Sequence, residues 1–119
     1  MITHPTAAEL SEALASVETG APGDARAAFI ARVADNARAT LEREVALGPA
    51  AEAAAVARLR GLLSLEGDFE TLNVELCARL ADGRLAPLDP AVLAHLKASV
   101  VDQIAIDQPT YWGLATLTG

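Results

Sequence analysis

Apolar residues recur every three or four positions along most of the chain, and alanine fills many of the positions between them. That spacing places one apolar stripe on an α-helix, whereas a strand needs strict alternation. Runs of β-branched residues are absent, and aromatic residues make up only 3% of the chain. Alanine loses no side-chain entropy in a helix and is its best former. The pattern therefore predicts an all-α protein whose helices pack through small side chains.

Cap and stop residues divide the pattern into five helices. Thr6 with Glu9 forms a capping box ahead of a helix over residues 7–18, with Leu10, Leu14 and Val17 on one face. The stretch Thr19-Gly20-Ala21-Pro22-Gly23 breaks the chain. Asp24 caps a second helix over residues 24–47, with Phe29, Ile30, Val33, Ala37, Leu41 and Val45 inward. Gly48-Pro49 reads as its end, glycine as the left-handed stop and proline as the first turn of the next helix. That third helix covers residues 50–65, with Val56, Leu59, Leu62 and Leu63 inward. Gly67-Asp68 is a stop followed by a cap for residues 69–81, where Phe69, Leu72, Leu76 and Leu80 form the stripe and Gly83 closes the helix. Asp89-Pro90 opens the fifth helix, residues 90–106, with Val92, Leu93, Leu96, Val100 and Ile104 inward. Short connections favour antiparallel neighbours. The expected architecture is one domain over residues 1–119, a five-helix antiparallel bundle with short loops and an irregular C-terminal tail.

Charge and composition remove several function classes. Sixteen acids against nine bases give a net charge of −7, which opposes nucleic-acid binding because phosphate contacts need a basic footprint. Six of the nine bases, Arg26, Arg32, Arg38, Arg43, Arg58 and Arg60, fall between residues 26 and 60. They read as a solvated face laced with pairs such as Arg32–Asp35 and Arg38–Glu42. No apolar run reaches the roughly 18 residues of a membrane span. The start, Thr3-His4-Pro5, lacks the basic and apolar regions of a signal peptide. Cys77 is the only cysteine and cannot form an internal disulfide, as in a reducing cytosol. A cytoplasmic protein is expected, and an apolar content of 52% leaves room for a homodimer.

Polar residues interrupt the stripes at particular places. Glu44 lies near the centre of the second stripe, and Asn36 at its edge. Asn73 sits between Phe69 and Leu76, Gln103 is seven residues past Leu96, and Asp107 is seven past Val100. Buried polar groups must be hydrogen-bonded and buried charges paired. One reading is an internal network in which Asn36 and Asn73 bridge helices while Glu44 and Asp107 accept hydrogen bonds. The other is a pocket in which Asn36, Glu44, Asn73 and Asp107 bind a cationic or polyhydroxyl ligand, or one carboxylate acts as a base. Tyr111 and Trp112 likewise either pack over the helices or anchor a partner.

Catalytic patterns are missing. His4 precedes the first helix. His95 and Asp102 share a flank but stand about 10.5 Å apart along the axis, so a solvated His95 is expected. No Glu-x-x-His pattern, HExxH, zinc-ligand cluster or phosphate loop occurs. Cys77 reads as a small core residue without a thiolate-stabilising neighbour. The residues point to neither a catalytic residue, a metal nor a cofactor.

Four segments in order carry a resemblance. They are Pro5-Thr6-Ala7-Ala8-Glu9-Leu10; then Asn36-Ala37, Glu42-Arg43-Glu44 and Leu47-Gly48-Pro49; then Leu72-Asn73-Val74-Glu75-Leu76-Cys77; and last Ala105-Ile106-Asp107-Gln108-Pro109 with Tyr111. The chain resembles a bacterial family of small helical proteins of unknown function. Genes of that family often lie beside an aminoglycoside-phosphotransferase-like kinase and an acyl-CoA dehydrogenase. The resemblance implies a helical cytosolic accessory protein, with one of those enzymes as partner and a link to acyl-CoA metabolism. It assigns no catalytic residue.

Overall fold

The computed structural model describes residues 6–18 and 25–118. His4 and the 19–23 connector lie outside them. Among the described residues five helices follow in order: α1 (Ala7–Glu18), α2 (Ala25–Leu63), α3 (Phe69–Ala81), α4 (Pro90–Asp107) and α5 (Leu114–Thr118). Among the described residues there is no strand.

The helix count agrees with the sequence reading, but the division does not. Gly48-Pro49 does not end a helix. The expected second and third helices are one helix, α2, of 39 residues with Pro49 inside it. At 1.5 Å per residue such a helix is about 58 Å long, which accounts for the longest molecular dimension of 57 Å. Pro49 removes one backbone donor and leaves the Val45 carbonyl without its helical partner. Val45 is exposed, so water can satisfy that carbonyl. Meanwhile Gly48, Ala51, Ala55, Leu59 and Leu63 are all buried along α2. This line of burial crosses the proline without a break, and tertiary packing outweighs the local stop signal. The tail also departs from expectation, because residues 114–118 form the short helix α5.

α1, α3 and α4 each pack on α2, and none packs closely on another among the described residues. α2 is therefore a spine with lateral helices. Arg58 meets His95 and Arg43 meets Ile106, so α4 runs opposite to α2. Leu59 and Leu63 of α2 join Leu72 and Leu76 of α3 in a buried cluster, with Val56, Leu62, Phe69, Leu80 and Leu85 packed against it.

Three of the expected caps are in place, and the fourth, Asp24, lies outside the described residues. The Glu9 amide donates to Thr6 Oγ1 at 3.2 Å, the Thr71 amide to Asp68 Oδ1 at 2.8 Å, and the Ala91 amide to Asp89 Oδ1 at 2.9 Å. Side-chain acceptors of this kind satisfy the orphan donors at helix starts. Two arginines serve helix ends in trans. Arg79 Nη1 donates to the Leu63 carbonyl at 3.2 Å, and Arg43 Nε donates to the Ile106 carbonyl at 2.6 Å. Each brings positive charge to the negative end of a neighbouring helix.

Lateral packing on one spine buries only a narrow stripe of each helix, and several expected core residues face outward. Phe29, Val33 and Val45 of α2 are exposed, as are Leu93, Leu96 and Val100 of α4. The buried residues of α4 are Val92, His95 and Ile106. Cys77, expected in the core, is exposed, because α3 turns only Leu72 and Leu76 fully inward.

A continuous α2 makes Pro49 a burden on stability, not a helix start. Pro49→Ala should restore the missing hydrogen bond and stabilise the protein by about 1–3 kcal/mol. Urea unfolding measures it, and a lower midpoint would show that Pro49 opens a separate helix.

A candidate cleft at the C-terminal end of α4

Asn36, Ala39, Thr40 and Arg43 of α2 face the turn after α4, residues 107–112, across a cleft of about 480 Å³. The α2 side is fixed by a short relay. Arg43 Nη2 donates to Thr40 Oγ1 at 3.1 Å, and Thr40 Oγ1 donates to the Asn36 carbonyl at 2.9 Å. With the Ile106 contact, these bonds hold the guanidinium at the cleft. Among the described residues its hydrogen-bond partners are a carbonyl and a hydroxyl.

The opposite wall is built by the end of α4. The Gln108 amide donates to the Ile104 carbonyl at 2.8 Å and the Tyr111 amide to the Gln108 carbonyl at 2.9 Å. These bonds wind the chain into a tight turn. Asp107 accepts from Gln103 Nε2 at 2.7 Å, one helical turn back. The Tyr111 and Trp112 rings lie 5.6 Å apart with an interplanar angle of 44°. The Tyr111 ring lies over Gly113: a Cβ there would meet its Cε1 at 2.5 Å. A side chain at 113 would have to displace the Tyr111 ring from this position. Trp112 remains 82% exposed.

Of the six residues singled out from sequence, Asn36, Asp107, Tyr111 and Trp112 line this one cleft. Glu44 and Asn73 do not. Glu44 is half-buried, with Oε2 shielded from solvent. Its carboxyl group lies over Gly48, where a Cβ would come within 3.3 Å of it. Asn73 is half-buried on α3, a helix that does not pack on α4. A single pocket shared by the second, fourth and fifth helices of the sequence reading is therefore not assembled. Asn36 and Asp107 are exposed, which makes them cleft walls and not members of a sealed network.

Arg43 and Thr40 were not distinguished by the sequence. Arg43 looks like one more arginine on a solvated face until Ile106 is placed beside it. Asp35 pairs with Arg38 at 2.9 Å, whereas Arg32 lies 6.0 Å from the Phe29 ring centroid. Arg43 and Arg58 are half-buried ties between helices.

His95 is the clearest reversal. It is 3% exposed, not solvated, and its partner is Arg58 instead of Asp102. Arg58 Nε donates to His95 Nδ1 at 3.1 Å, and Arg58 Nη2 reaches Ser99 Oγ at 3.4 Å. Nδ1 must then carry the lone pair, which puts the proton of neutral imidazole on Nε2. Burial holds the His95 pKa below its ordinary 6.5, and the Arg58 charge lowers it further. Together they tie α4 to α2 and, with Gly61, Leu62, Ala91 and Ala94, line a second cleft of about 340 Å³.

Fold and cleft together define a class: a helical protein with an open polar and aromatic cleft at one end of a lateral helix. Residues 21–111 match the family described as a domain of unknown function, DUF6285, and the chain belongs to that family. The match spans α2, α3, α4 and every residue lining the cleft except Trp112. No curated protein and no solved structure matches the chain.

The buried imidazole fixes a pH dependence. Below about 6.5 the unfolded chain takes up a proton at His95 that the folded protein resists, so stability is full above that pH and falls as pH drops below it. Urea melts between pH 7.5 and 5 should show this loss, and His95→Leu should flatten its share. A His95 resonance titrating at or above 6.5 would contradict the buried assignment.

Proposed function

We propose that this protein is a non-catalytic interaction protein, an accessory to a metabolic enzyme, with Tyr111 and Trp112 in its docking surface. The observation that carries this reading is the position of Trp112, an indole left 82% exposed at the rim of a cleft with a fixed arginine. Tryptophan, tyrosine and arginine are the residue types that dominate binding energy at protein interfaces. Gly113, with no Cβ, leaves room for the Tyr111 ring beside Trp112. The resemblance described above supplies the partner class, a phosphotransferase-like kinase or an acyl-CoA dehydrogenase, in a cytoplasmic bacterial setting. Among the described residues no group of three or more His, Cys, Asp or Glu side chains could hold a metal ion, and no helix is long and apolar enough to cross a membrane.

A second reading has its own observation, the convergence of Asn36, Arg43, Asp107 and Tyr111 on one cleft. In it the cleft takes a small polar molecule, with Glu44 and Asn73 holding the surrounding helices. Asp107→Asn and Glu44→Gln separate the two roles. A site residue changes ligand affinity at constant stability, whereas a packing residue lowers only the melting temperature.

Co-purification with the two enzyme classes tests the main reading. Trp112→Ala should weaken capture by at least about 30-fold, the effect of a hot-spot residue worth about 2 kcal/mol, at an unchanged melting temperature. Failure of the unmodified protein to bind either enzyme would remove the accessory role.

A further inference from the structure

We propose that the cleft between Arg58 and His95 binds a small monocarboxylate, with a short aliphatic tail running toward Leu62. The cleft has a volume of about 340 Å³ and is lined by Arg58, Gly61 and Leu62 of α2 and by Ala91, Ala94 and His95 of α4. Each set follows the i, i+3, i+4 spacing of one helix face. Because α4 runs opposite to α2, the pairing of Arg58 with His95 sets Leu62 near the level of Ala91. The cleft therefore has a polar end and an apolar end about 6 Å apart, four residues at 1.5 Å each.

The polar end offers donors. Arg58 Nε donates to His95 Nδ1 at 3.1 Å and Nη2 to Ser99 Oγ at 3.4 Å. Among the described residues these partners are neutral, and a guanidinium carries five N–H donors, so Nη1 is left for a ligand. His95 is 3% exposed, and with Nδ1 accepting, its proton sits on Nε2. Among the described residues Nε2 has no hydrogen-bond partner, yet it is not one of the unpartnered atoms sealed from solvent. A donor this buried calls for an acceptor, and the cleft is where one can reach it. One fixed positive charge beside one neutral donor matches a group with a single negative charge and only acceptors. A carboxylate is that group, and its two oxygens fit the planar guanidinium fork. The net charge of −7 disfavours polyanions such as phosphate esters.

The apolar end is kept open. Gly61 lies inside α2, where glycine weakens a helix relative to alanine, and a Cβ there would meet nothing within 4 Å. Ala91 and Ala94 add only methyl groups on the facing wall. Small side chains on both walls, with Leu62 at the end, leave room for an aliphatic chain. Gly61 stands eighteen residues beyond Arg43, about 27 Å along α2. This site is therefore separate from the cleft at Trp112 and does not rest on the docking role.

NMR titration of the full chain with sodium hexanoate, against equal sodium chloride, tests the proposal. We expect saturable shifts at His95 Nε2 and at the Gly61, Leu62, Ala91 and Ala94 amides. Affinity should rise about two- to fourfold for each methylene from acetate to hexanoate. Hexanol should bind at least about tenfold more weakly than hexanoate. Gly61→Leu fills the cleft with a better helix former, so it should keep the fold, with a melting temperature no lower, and abolish binding. Arg58→Gln should bring hexanoate down to the level of hexanol. No saturable shift with hexanoate, equal affinity for hexanol, or undiminished binding by Gly61→Leu would each overturn the proposal, as would phosphate binding more tightly than hexanoate.

Discussion

The continuity of α2 through Pro49 is the constraint on which everything else in the molecule depends. One helix of 39 residues replaces the hairpin that Gly48-Pro49 would have made. A hairpin there would have brought two long apolar stripes together and left α1, α3 and α4 to complete a bundle. The straight spine instead gives each lateral helix its own stretch of surface. The small residues Gly48, Ala51 and Ala55 on the buried line allow close approach to that surface. Gly48 is part of this helical wall and sits beneath the Glu44 carboxyl group.

Narrow burial has consequences at both ends of α4. At its start the helix is tied inward by His95 and Arg58, a neutral imidazole accepting from a permanent cation. At its end Arg43 captures the Ile106 carbonyl, and the chain then turns sharply to place Tyr111 and Trp112. The cleft exists because α4 stops beside α2 and the following turn stands away from it. Its polar lining is what remains when Asn36, Thr40 and Asp107 are left on walls and not sealed between helices. The guanidinium there is held by the Ile106 carbonyl and the Thr40 hydroxyl.

Much of this was legible in the sequence for local reasons. α1, α3 and α4 were found within a residue of their ends because Thr6, Asp68 and Asp89 cap them and Gly83 follows one. Such signals act within a single turn and need no knowledge of the fold. What failed was long-range. Proline is an ordinary helix stop, and only burial on both sides of Pro49 overrides it. Leu93, Leu96 and Val100 form a better apolar stripe than Val92, His95 and Ile106, yet α2 takes the second set. A histidine counts as polar in any pattern, so the buried face of α4 was hidden by the residue at its centre. The cleft was half visible. Asn36, Asp107, Tyr111 and Trp112 stood out as interruptions or as rare aromatics, but Arg43 and Thr40 became distinguishable only through a contact spanning more than sixty positions (Arg43 to Ile106).

The distance between two points on α2 tests the spine most directly. Spin labels on cysteines at Ala31 and Ala57, both exposed, in a Cys77→Ser background, report it by pulsed dipolar spectroscopy. A continuous helix places those backbones about 39 Å apart at 1.5 Å per residue. A single narrow distribution near that value is the expected result. A distribution centred at half that length or less would mean that the chain folds back at Gly48-Pro49, and the arrangement of α3, α4 and the cleft described above would fall with it.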